Sequence, residues 1–135
     1  MDDEAAVTRV LTDYVSAFGA LDVRAILPYY HEPCLLVGPQ GVVALPTRAA
    51  MVAAFTPMME GLRERGYGRS ELSMLHVKQL SATATLASGV AVRYRADGQE
   101  LERVGVSYVL HKADEDRWTI AVTVVHDTDK MVRPE

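Results

Sequence analysis

Four histidines, six tyrosines and one cysteine are the residues of this chain with the widest chemical range, and their spacing limits what they can do. His31, His76, His111 and His126 are far apart in sequence. No pair has the close helical spacing of a zinc motif, and no CxxC element accompanies them, so no metal site is expected. Cys34 sits in the apolar run Cys34-Leu35-Leu36-Val37, where a buried thiol is expected rather than a nucleophile. Ser16, Ser88 and Ser107 lack a nucleophile-elbow context. Gly38-Pro39-Gln40-Gly41 leads into an extended stretch and Gly66-Tyr67-Gly68 follows a helical one, so both read as turns and neither as a phosphate cradle.

Acid–base chemistry therefore falls to two histidines. His31 follows Tyr30 at a helix-to-strand corner, where it can exchange protons near neutral pH or cap the helix as a cation. His126 ends an alternating row, Trp118, Ile120, Val122 and Val124, that places one polar group at the end of an apolar strand face. The alternative for His126 is a strand terminus touching solvent. Tyr14 lies in the middle of a helical apolar stripe, so its ring is buried and its hydroxyl must find either a ligand or the backbone. The alternation around His76 leaves its face open, and His111, beside Lys112 near a turn, is expected at the surface.

The elements that must position these groups are legible in order. Val7, Val10, Leu11, Tyr14, Val15 and Phe18 follow the spacing of one helical face, ended by Gly19. Asp22 caps a short second helix carrying Ile26, Leu27 and Tyr30, closed by His31-Glu32-Pro33. Cys34–Val37 and Val42–Leu45 read as short strands, and Thr47 opens a third helix with stripe Met51, Ala54, Phe55, Met58 and Leu62. Pro57 inside that stripe predicts a kink or break near Ala53–Thr56. From Arg69 the period changes to two, giving strands near Ser70–Ser81, Thr83–Ala96, Glu100–Lys112 and Arg117–Asp127. Asp97-Gly98 is the strongest hairpin signal, and Ala113-Asp114-Glu115-Asp116 is a polar turn. Gly89 and Gly105 inside long strands predict a strongly bent sheet. Helices first and strands after argue for an α+β domain whose helices cover one sheet face and leave a pocket where the two diverge.

At 135 residues the chain is long enough for one domain, taken as 1–135 with its core at about 5–127. A net charge of -4 without a basic run argues against nucleic acid. Arg63, Arg65 and Arg69 surround a helix end, where cations offset the dipole. Arg93, Arg95 and Arg103 with Glu100 and Glu102 flank the hairpin and read as cross-strand ion pairs on a wet face, with Tyr94 and Tyr108 on the other face or at a dimer contact. No apolar stretch is long enough to span a membrane, and the acidic start is unlike a signal peptide, so a cytoplasmic location is expected. The Met131–Glu135 tail looks dispensable.

With the helix Val7–Phe18, the corner Tyr30-His31-Glu32-Pro33, the helix Thr47–Leu62 and the last strand Trp118–Val122 running to His126-Asp127, the chain resembles the nuclear-transport-factor-2-like (NTF2-like) superfamily over nearly its full length. That resemblance implies a cystatin-like cone: a strongly curved mixed or antiparallel sheet wrapped on three helices from the N-terminal half. It implies a pocket between sheet and helices, where Tyr14, Tyr30, Phe55, Met58 and Trp118 are the candidate ligand-binding residues and His31 and His126 the candidate catalytic ones. It also implies a homodimer formed through the sheet. In the ketosteroid isomerases of this superfamily the general base is a carboxylate just after the strand that follows the second helix. Here that stretch is Leu35-Leu36-Val37-Gly38-Pro39, which carries none. Two functions stay open. One is a pocket for a small apolar molecule, with cofactor-free acid–base catalysis in the manner of SnoaL-type cyclases. The other is a non-catalytic dimerisation or regulatory module whose pocket its own methionines and Phe55 fill.

Overall fold

In the computed structural model, which describes residues 2–113 and 117–130, the first helix begins where the acidic start prescribes. Asp2 caps α1 (Asp3–Phe18) by accepting the Ala5 N–H at 2.7 Å, and Val7, Leu11, Tyr14 and Phe18 form its buried stripe. α2 (Val23–Ile26) is capped by Asp22 and gives way to a 3-10 turn over Leu27–Tyr29. Pro28 lies in that turn, where a missing N–H is tolerated. The second helix is therefore shorter than its apolar spacing suggests, and Tyr30 begins a strand instead of ending a helix.

α3 (Arg48–Glu64) is capped by Thr47 and runs through Pro57 without the expected break. Burial of Met51, Phe55, Met59 and Leu62 on both sides of the proline outweighs one lost backbone hydrogen bond. Glu32, in the strand that follows the 3-10 turn, holds the start of α3 by accepting the Arg48 N–H at 2.6 Å. No helix among the described residues is long and apolar enough to cross a membrane.

Six strands form one open sheet: β1 (Tyr30–Gly38), β2 (Gly41–Leu45), β3 (Tyr67–Ser81), β4 (Ala84–Arg95), β5 (Glu100–Ala113) and β6 (Arg117–His126). Their order is β2-β1-β6-β5-β4-β3, and only the β1–β6 pair is parallel. The mixed, α+β character matches expectation, and so do the strand limits within a few residues. Asp97-Gly98 makes the β4–β5 turn, with Gly98 at φ +92° and the Arg95 N–H donating to Gln99 O at 2.7 Å. Asp114-Glu115-Asp116 of the expected polar turn and the Met131–Glu135 tail lie outside the described residues.

Strand register decides which side chains enter the core. On the inner face, Ser70 pairs with Arg93 and Arg93 with Glu102, then Leu72 with Ala91 and Ala91 with Val104. Farther along, Ala87 pairs with Tyr108 and Tyr108 with Thr123. In β6 the pairing steps from Leu110↔Ile120 to Val109↔Val122, so Ala121 is an extra, unpaired residue. Such a bulge reverses the alternation. Trp118 and Ile120 belong to the core, whereas Val122, Val124 and His126 lie on the outer face. His126 thus does not share a face with Trp118, contrary to the simple alternation of the sequence.

Candidate functional site

Between the inner sheet face, α1 and α3 lies a cavity of about 200 Å³. Phe18, Phe55, Leu36, Val104 and Val106 give it an apolar wall, with Met58 and Val125 nearer solvent. Beside it, a surface groove along the β1–β2 hairpin shares Leu36, Val37 and Val125.

Polar groups enter this apolar space at two places. The hydroxyls of Tyr14 and Tyr30 are 2.5 Å apart, with their rings edge-on at 5.4 Å between centroids. The pair has two hydroxyl protons and uses one internally, leaving the other to donate outward. Tyr108 lines the same space, edge-on to Tyr14, and its hydroxyl bonds to no described residue. Thr123 Oγ1, also at the wall, is buried without a partner. Burial pushes the phenols of Tyr14, Tyr30 and Tyr108 above their usual range, and for Tyr30 the neighbouring Tyr14 adds to the effect. All three are hydrogen-bond donors at neutral pH and not bases.

The second polar place is the row Ser70, Arg93 and Glu102. Glu102 is held by two guanidinium groups, Arg65 at 2.8 Å and Arg93 at 3.2 Å. Arg93 also lies 5.4 Å from the centroid of the Phe18 ring, a cation–π distance. The expected wet-face ion pair between β4 and β5 is therefore on the inner face, at the rim of the cavity.

Tyr14, Tyr30, Phe55 and Met58 are brought together in the cavity lining. Trp118, His31 and His126 lie outside it. Trp118 is buried at the other end of α1, with its Nε1–H directed to Asp3 Oδ1 at 3.4 Å. His31 is fixed locally, its Nδ1 bonding to Pro33 O at 2.8 Å and its ring packing edge-on against His111. His126 bonds through Nδ1 to Asp127 O at 2.7 Å and through Nε2 to Ser107 at 2.8 Å, and Ser107 in turn bonds to Ser88. Gly105 makes room for that ring, since a Cβ there would stand 2.5 Å from His126 Nδ1. His76 pairs with Ser88 and so belongs to the outer face.

Cys34 is buried, and burial raises its thiol, which leaves it a weak nucleophile. No three His, Cys, Asp or Glu side chains among the described residues converge on a metal-sized site. Ser70, Arg93, Glu102, Tyr108 and Thr123 are the polar cavity residues that the sequence did not single out for a site, and most of the apolar wall was not singled out either.

With this geometry in place, comparison with known proteins identifies the family. The model for an NTF2-like protein family (DUF6841) matches residues 3–128. The chain belongs to that family. The NTF2-like fold also appears in solved structures similar to this one. A cystatin-like protein of unknown function from Nostoc punctiforme superposes with a TM-score of 0.78 at 13% identity, covering 92% of this chain and 90% of the other. An NTF2-like protein from Novosphingobium aromaticivorans gives 0.76 at 14%, covering 95% and 83%. A ketosteroid isomerase-like protein from Erwinia carotovora atroseptica gives 0.67 at 16%, covering 98% of each chain. At such identities the likeness is one of NTF2-like fold. No curated protein matches the chain.

Proposed function

We propose that this NTF2-like protein binds a small, largely apolar molecule inside the cone and orients it by a hydrogen bond from the Tyr14–Tyr30 pair. The observation that carries this reading is a pair of hydroxyls 2.5 Å apart in the lining of an apolar cavity, which between them have one proton more than their mutual bond uses. Hydrogen-bonded hydroxyls polarise one another, so the outward donor is stronger than a lone phenol. Size limits the ligand. A cavity of about 150 Å³ accommodates one benzene ring, so about 200 Å³ suits one substituted ring and not a fused steroid.

Binding, not turnover, fits the described lining. It carries no histidine, and its one carboxylate, Glu102, is neutralised by Arg65 and Arg93. The buried methionines Met51 and Met59 sit in the core without closing the cavity, which weighs against a module filled by its own side chains.

The test is amide-resolved NMR with one-ring ketones and alcohols such as acetophenone and benzyl alcohol. Shifts are expected at the cavity residues and should vanish in Ala91→Phe, which fills the space from the sheet side. No shifts, or shifts confined to the surface, would end this reading.

The reading includes a cytoplasmic homodimer joined through the outer sheet face. Val109, Val122 and Val124 lie there side by side, only partly buried and outside the core cluster. Val124→Lys is expected to sediment as a monomer where the parent protein sediments as a dimer. Equal sedimentation of the two would remove this contact from consideration.

A further inference from the structure

We propose that the ligand is a one-ring or short-chain carboxylate, its anionic group held by Arg93 and its apolar body by the cavity wall. The inference rests on the pocket reading above and adds the ligand's charge. Three observations carry it.

First, Arg93 belongs to the cavity. It projects from the inner face between its cross-strand neighbours Ser70 and Glu102, and its side chain is only 21% exposed. Its positive charge reaches the phenols of Tyr14, Tyr67 and Tyr108, pulling each downward against the larger effect of burial.

Second, most of its donors are uncommitted. A guanidinium carries five N–H groups. Among the described residues, only Nη1 has an acceptor, Glu102 Oε2 at 3.2 Å. The Phe18 ring covers the guanidinium and offers no acceptor. A planar fork with free N–H groups, partly removed from water, is suited to a carboxylate.

Third, the local charge is unbalanced. Arg65 and Arg93 face one carboxylate, Glu102, and the cluster keeps one net positive charge. A monoanion would neutralise it. Glu102 holds the guanidinium in position, with Ser70 beside it as a further hydroxyl.

The experiment compares benzoate with benzamide, which has the same shape and no charge, by calorimetry and by amide shifts at the cavity residues. Benzoate is expected to bind about tenfold tighter or more, the range of a hydrogen bond to a charged group. Arg93→Met should abolish that preference, leaving benzoate no tighter than benzamide. Glu102→Gln, which removes the competing negative charge and keeps an oxygen acceptor to hold the guanidinium, should raise benzoate affinity, and this variant decides the matter if Arg93→Met does not fold. Equal affinity of benzoate and benzamide, a preference that survives Arg93→Met, or weaker or unchanged benzoate binding in Glu102→Gln would overturn the carboxylate assignment. Benzamide binding would then leave the pocket reading standing. Absence of binding by either compound would overturn both.

Discussion

Phe55→Ala is expected to destabilise the protein by about 3–5 kcal/mol and to widen the range of ligands the cavity admits. Phe55 is only 2% exposed on α3, and its ring lies 5.1 Å from that of Tyr30, tilted by 35°. It is thus both a core residue and a wall of the cavity. Truncation removes buried apolar surface and leaves a void that the sheet on one side and α3 on the other cannot close. Folded domains have about 5–15 kcal/mol to lose, so the variant should fold with a lowered urea midpoint and a nearly unchanged m-value. A two-ring ligand excluded by the parent protein should now bind and restore part of the lost stability, because it binds only the folded state. A loss below about 1 kcal/mol would show that Phe55 is not packed against Tyr30 as described. A normal loss without gain of two-ring binding would show that the void collapses and is not continuous with the cavity.

The same residues show how far the sequence reveals the fold and the site. The stripe from Val7 to Phe18 fixed the buried face of α1, and Asp97-Gly98 fixed a hairpin register that puts Arg93 opposite Glu102. What the pattern does not contain is which face of β5 the sheet bends around. Val104 and Val106 share alternation with Glu102, but Leu101 and Val109 occupy the opposite phase, so both faces look apolar. Charged residues beside a turn then read as solvated, and from the sequence the Arg93–Glu102 row reads as the wet side. His126 was hidden by a different cause. The bulge at Ala121 is a backbone event, and Ile120-Ala121-Val122 carries no glycine or proline to announce it. One extra residue moved His126 to the outer face, beside Ser107 and away from the tyrosines. Tyr30 is a pocket candidate through the family resemblance and reads as the end of the second helix, whereas its pairing with Tyr14 needs the turn at Leu27–Tyr29 to swing it into β1. Fold class and four lining residues could therefore be read in the chain. The polar rim depends on sheet curvature and a bulge, which side-chain periodicity does not encode.

The tyrosine cluster leads to the other large effect, at alkaline pH. Burial raises the phenols of Tyr14, Tyr30 and Tyr108, and the partnership with Tyr14 raises Tyr30 further. In the unfolded chain each ionises near pH 10. A group whose folded pKa lies above its unfolded value stabilises the fold fully below the unfolded pKa. That contribution is lost as pH rises toward the folded value, because only the unfolded chain can release the proton. These three tyrosines should therefore leave stability level up to about pH 10 and reduce it steeply above. In a spectrophotometric titration, Tyr14, Tyr30 and Tyr108, half of the six tyrosines, should remain phenols while the fold persists. They should ionise only together with loss of the circular dichroism signal. Tyr30→Phe should lower the number of protons released in that transition by about one, with Tyr14 still silent until unfolding. Gradual ionisation of all six tyrosines at constant circular dichroism would show that water reaches the cluster. The Tyr14–Tyr30 pair would then be an ordinary exposed contact, and its outward proton would confer no special power to hold a ligand.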